Sequence, residues 1–162
     1  MRGNALRSRR IAVLLGLVAA GLIVTVAPAL AARTCSINST TSVSFSAYNV
    51  FAAANDTSTG GAVKIVCTAS GTAVISLTTG GSGSFATRKM SGPGGVTLNY
   101  NLYTTSGLAT IWGDGSSVGT ATVSGTVGTT AVSFTIYGMI PKNQYTAVAG
   151  TYNDSITVSV TP

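Results

Sequence analysis

Gly150-Thr151-Tyr152-Asn153-Asp154-Ser155-Ile156-Thr157-Val158-Ser159-Val160-Thr161-Pro162 is the stretch whose reading decides the fold. Ile156, Val158 and Val160 alternate with Thr157, Ser159 and Thr161. A period of two in β-branched residues is the pattern of a strand with one face buried. The sequence ends two residues after Val160, so this strand is expected to lie at a sheet edge with no neighbour after it. An uncovered edge carries unpaired N–H and C=O groups and invites a further strand. Tyr152 stands just before it. In immunoglobulin-like sandwiches a tyrosine near the start of strand F bonds back across the corner. By that analogy the last strand is F, and strand G is missing.

The same alternation recurs upstream. Val43, Phe45 and Ala47 share one face of the run through Tyr48, and Val63, Ile65 and Cys67 share one face of Ala62–Ala69. Short strands are expected at 73–79 and 85–90. Val96, Leu98, Tyr100 and Leu102 mark the clearest strand, followed by Ile111-Trp112, by 118–127 and by 131–137. Turn residues part them: 55–61, Gly80-Gly81-Ser82-Gly83, Ser91-Gly92-Pro93-Gly94-Gly95, Gly113-Asp114-Gly115, Gly128 and Pro141-Lys142-Asn143. Short strands with close turns predict an all-β antiparallel sandwich, with a barrel as the alternative.

Arg2, Arg7, Arg9 and Arg10 precede an apolar run from Ile11 to Ala27, and Ala29-Leu30-Ala31 offers a small-x-small cleavage signal. That is the order of a secretory signal peptide over 1–31, which leaves 32–162 as one domain. The alternative is an uncleaved anchor, since Ile11–Ala32 is long enough to span a bilayer. The full chain carries +6, but without those arginines five cations face three carboxylates, Asp56, Asp114 and Asp154. The basic character is thus mostly a targeting feature, and nucleic acid is not an expected partner. Arg88-Lys89 is the one basic pair left. Cys35 and Cys67 are the two cysteines, both in the exported part. An even count in an oxidising compartment indicates a disulfide, which would stabilise by ~4 kcal/mol in the chain-entropy view; two buried thiols are the alternative.

The chain has no His. This removes His-based triads, Cys–His pairs and His metal sites, and no enzyme, cofactor, metal or small-molecule substrate is expected. Trp112 is the one candidate for a surface ligand contact, a glycan stacked on its indole; the competing reading is packing beside a turn. Asn38-Ser39-Thr40, Asn55-Asp56-Thr57 and Asn153-Asp154-Ser155 match a glycosylation pattern that is frequent by chance in such chains.

Cys35, Val43-Ser44-Phe45 with Tyr48, Val66-Cys67-Thr68, Arg88-Lys89-Met90, Leu98-Asn99-Tyr100-Asn101-Leu102-Tyr103, Trp112-Gly113-Asp114-Gly115, Tyr137-Gly138-Met139-Ile140-Pro141 and Gly150-Thr151-Tyr152-Asn153-Asp154 stand in this order. The set resembles the spore coat protein U domain family, related to subunits of archaic chaperone–usher pili, over essentially all of 32–162. The resemblance implies an incomplete immunoglobulin-like sandwich lacking its last strand and bridged by Cys35–Cys67. It implies export to the periplasm of a Gram-negative bacterium, and then the cell surface, in a fimbrium or coat. The implied partners are a periplasmic chaperone that lends a strand, an outer-membrane usher, and neighbouring subunits whose N-terminal extensions replace the lent strand. The implied acceptor groove is bordered by Ile156, Val158 and Val160 on one side and by Val43 and Phe45 on the other. Three features depart from the family pattern. Only Ala32, Arg33 and Thr34 lie between the expected cleavage site and Cys35, too few for a donor strand of about ten residues. This suits a tip, terminating or coat subunit. The chain ends in Thr161-Pro162 without a nearby aromatic residue, and Met139 stands where Arg is frequent. The alternative function is a self-sufficient secreted glycan-binding module.

Overall fold

The computed structural model describes residues 32–162, and the expected signal peptide at 1–31 lies outside the described residues. Ten strands follow in order: β1 (Cys35–Thr41), β2 (Asp56–Cys67), β3 (Gly71–Leu77), β4 (Arg88–Ser91), β5 (Thr97–Tyr103), β6 (Ile111–Trp112), β7 (Thr120–Ala121), β8 (Val123–Val127), β9 (Val132–Ile140) and β10 (Val158–Thr161). They form two sheets. The larger runs β1-β2-β9-β5-β6-β7, with β4 on β5, and the smaller runs β10-β3-β8. Every pairing is antiparallel except β6 with β7. The core between them holds the alternating residues Val63 and Ile65 of β2, Ile75 and Leu77 of β3, Leu98, Tyr100 and Leu102 of β5, and Ile136 and Ile140 of β9. This is the expected β-sandwich.

One strand, β1, is not among those expected, and three expectations about elements are corrected. β1 has no alternating pattern because all of it beyond Cys35 is exposed, so nothing in its sequence marks a buried face. After Asn55, the polar stretch 55–61 is not a turn but the first half of β2, paired with Gly138, Met139 and Ile140 before a bulge between Ser58 and Gly61. Glycine tolerates such a bulge within a strand. The run 118–127 is split: Val118 is fully exposed in the loop before β7. Val43–Tyr48 is not a strand, since ladder pairing of β1 with β2 stops at Thr41–Ala62 and no described strand lies alongside residues 42–48.

Val43 and Phe45 are nonetheless held. They lie over Gly61 of β2 and Gly138 of β9, where any Cβ would collide with them. Two strand glycines thus make notches that seat two half-buried side chains. Phe45 also meets Tyr100 edge-on, centroids 6.4 Å apart.

Cys35 and Cys67 face each other directly across the β1–β2 ladder and are disulfide-bonded. Arg33 reinforces this corner. Its guanidinium donates to the carbonyls of Ala69, Gly71, Thr72 and Val127 and to Cys67 Sγ.

Candidate functional site

β1 ends one sheet and β10 ends the other, so two strand edges stand side by side. They touch, yet no ladder joins them. Where they part, a cleft of about 300 Å³ opens, with Thr40–Val43 and Phe45 on one wall and Asp154, Ile156 and Val158 on the other. Its floor is the core itself: Leu77, Met90, Tyr100, Leu102 and Ile136. It continues past Met90, Tyr152 and Asn153 into a wider trough of about 850 Å³ beneath Tyr48–Phe51 and Ala147–Gly150. A half-covered core flanked by two unpaired edges is a site for β-augmentation.

Of the residues expected to border a groove, Val43, Phe45, Ile156 and Val158 line this cleft. Val160 packs against the core but is not part of the lining. Among the described residues β10 pairs only with β3, through Val158–Leu77 to Thr161–Val74, and its other edge, though it touches β1, forms no ladder. Ile156 lies just before the ladder, where Thr157 bonds Thr78 through its backbone carbonyl and N–H.

Around the trough, side chains take over the work of strands. Tyr152 Oη donates to the Val148 carbonyl and accepts from the Val148 N–H, both at 2.9 Å. This is the corner that the position of Tyr152 suggested. The Gln144 amide accepts from Asn99 N–H and donates to the Asn99 carbonyl, as a neighbouring strand would. Tyr48 Oη donates to the Pro141 carbonyl. Beside the trough, Phe51 and Tyr145 stand exposed, their rings 6.3 Å apart.

The surface contact expected of Trp112 is overturned. Its side chain is 0% exposed and its indole N–H donates to the Ile75 carbonyl at 3.0 Å. An indole buried with its one donor satisfied has no face left for a glycan. The Arg88-Lys89 pair is likewise divided, with Arg88 0% exposed and Lys89 exposed. Arg88 donates to the carbonyls of Thr78 and Trp112 and to Asn101 Oδ1, each with a bond of 2.8 Å, and its guanidinium lies over the Phe85 ring. Burial lowers its pKa, and Tyr100 and Asp154 oppose that shift. Sequence reasoning missed this residue's role because adjacent cations in a strand look alike until the faces are assigned.

The three carboxylates serve different structures. Asp114 accepts backbone bonds from Ser116 and Ser117 and hydroxyl bonds from Ser116, Ser117 and Thr120. The backbone bond from Ser117 leads in holding its pKa below the usual carboxylate range. Asp56 accepts from Ser46. Asp154 accepts from Gly81 N–H, Ser155 N–H and Tyr100 Oη at 2.9, 2.8 and 2.7 Å. Burial, and then the bond to Asp154, push the Tyr100 phenol well above its ordinary value. Among the described residues no group of three His, Cys, Asp or Glu is placed to hold a metal.

No curated protein matches the chain. Among solved structures, the fold is similar to the crystal structure of the CsuC–CsuE chaperone–tip adhesion subunit pre-assembly complex from archaic chaperone-usher Csu pili of Acinetobacter baumannii. The similarity has 24% sequence identity and a TM-score of 0.54, over 80% of this chain and 40% of that one. The Spore Coat Protein U domain model matches residues 21–159, and with that match across nearly its whole length the chain belongs to the Spore Coat Protein U domain family.

Proposed function

We propose that the chain is an exported structural subunit of a surface fibre or coat, whose sandwich is completed by a strand from another polypeptide. The observation that carries this reading is the cleft: an apolar floor open between Val43 and Ile156, beside an edge of β10 that pairs with no described strand. Leaving such a floor in water forfeits about 25 cal/mol per Å² of apolar surface, and an incoming strand recovers it while pairing the free backbone. A periplasmic chaperone supplies the strand in transit. A neighbouring subunit replaces it at the outer-membrane usher. The likeness to a chaperone–tip subunit complex supports these partners through the fold. Residues 1–31 act as the leader, removed after Ala31, and 32–162 form the exported domain. The Cys35–Cys67 bridge fits an oxidising periplasm. The role is structural and not catalytic: the chain has no His, and its three carboxylates are each engaged in local hydrogen bonds.

Titration of the native chain with a peptide of about ten residues, alternating Val with Thr, tests the reading. The melting temperature should climb with peptide concentration, as for any ligand that binds only the folded state. A sharp melt indifferent to millimolar peptide would overturn it.

A further inference from the structure

Along the last segment, Tyr152, Asp154, Ile156, Val158 and Val160 are the half-buried positions, and the residues between them are exposed. Four of the five are apolar or aromatic. Asp154 therefore stands at an inward position where the period calls for an apolar side chain. Among the described residues it is also the single charged one lining either part of the cleft, which no Lys or Arg borders.

Its carboxylate has three partners, all neutral: Gly81 N–H and Ser155 N–H on Oδ1 and Tyr100 Oη on Oδ2. A carboxylate offers about four acceptor sites, so Oδ2 keeps one free. The nearby guanidinium of Arg88 gives its hydrogen bonds to Thr78, Trp112 and Asn101, and none reaches Asp154. While the cleft is open, water solvates this charge. A strand that fills the cleft expels that water; Arg88 attracts Asp154 only through space, and a desolvated carboxylate with no cation hydrogen-bonded to it is costly. The occupant is placed to supply the cation that bonds the free Oδ2 position directly.

We propose that the cleft selects an extended segment whose inward residues are apolar opposite Ile156 and Val158 and basic, Lys or Arg, opposite Asp154. This rests on the strand-completion reading and adds a charge requirement to it.

Four acetylated, amidated peptides of about ten residues test the proposal, each alternating Val inward with Thr outward. Lys or Glu replaces the inward Val at the N-terminal or the C-terminal end. Affinities for the native chain are measured by calorimetry at low and high salt. At one end, the Lys peptide should bind about tenfold more tightly than its Glu counterpart, because like charges placed together are strongly disfavoured. The end at which this appears reports the direction of the bound strand relative to β10. The preference should shrink as salt is raised. In Asp154→Asn, which keeps an acceptor for Gly81 and Ser155, it should fall to about one. The salt series on the unaltered chain stands even where that variant folds poorly. If Lys and Glu peptides bind equally at both ends, the charge requirement is wrong and strand completion survives. If none of the four binds, both fall together.

Discussion

Arg88 and Lys89 are neighbours in the chain and opposites in the fold. Arg88 satisfies the carbonyls of Thr78 and Trp112 and the Asn101 side chain inside the core, whereas Lys89 faces water. Arg88→Met takes this donor from the buried carbonyls of Thr78 and Trp112, at about 1–3 kcal/mol each, while Asn101 Oδ1 keeps its bond from Leu102 N–H, so a loss of several kcal/mol is expected in urea unfolding. Lys89→Met should change stability by less than about 0.5 kcal/mol. Tyr100 gives a pH signature. Its folded pKa lies above the ordinary 10.0, so its contribution is complete below about pH 10 and declines as pH rises above that value. Tyr103, also raised by burial, adds to the same slope. Tyr100→Phe should cost about 1 kcal/mol at neutral pH and make the alkaline decline shallower, as read by denaturant midpoints from pH 8 to 11. An unchanged slope would place the ionising group elsewhere.

At the scale of elements, β1 and the segment after it depend on two devices. One is the Cys35–Cys67 bridge, which spans 32 residues and ties β1 to β2. Replacing both cysteines by Ser should destabilise by ~4 kcal/mol on the chain-entropy model, with the midpoint shift as the measure. The other is the pair of notches at Gly61 and Gly138. A methyl group at Gly138 collides with the Phe45 ring and Val43, so Gly138→Ala is expected to dislodge that segment. Strand-peptide affinity should drop about tenfold, while the melting temperature of the free chain moves only a few degrees. Equal affinity in Gly138→Ala would show that Val43 and Phe45 are not a wall of the site. The missing strand at 43–48 has the same origin. The alternation Val43-Ser44-Phe45 prepares one apolar face, but a strand needs a partner edge as well as a face.

For the whole molecule, the expected pattern of hydrogen exchange depends on which edges are covered. Amides of β2, β3 and β9, paired on both sides, should be the slowest to exchange, and those of 42–50 among the fastest. Adding the alternating peptide should slow exchange at β10 and 42–50 and leave the distant Asp114 loop unchanged; slowing spread evenly over the fold would instead indicate general stabilisation. The sequence by itself was enough to specify an all-β sandwich, a disulfide and a final strand with one apolar face. Alternation at Leu98–Leu102, Val63–Cys67 and Ile156–Val160 states which face goes inward, and two cysteines allow one pairing. Only the tertiary structure decided that polar β1 is a strand, that 56–61 extends β2, that Trp112 and Arg88 are buried, and that Asp154 faces the cleft. Those outcomes depend on which distant backbone supplies a ladder or a carbonyl, and local periodicity does not encode partners far away in the chain.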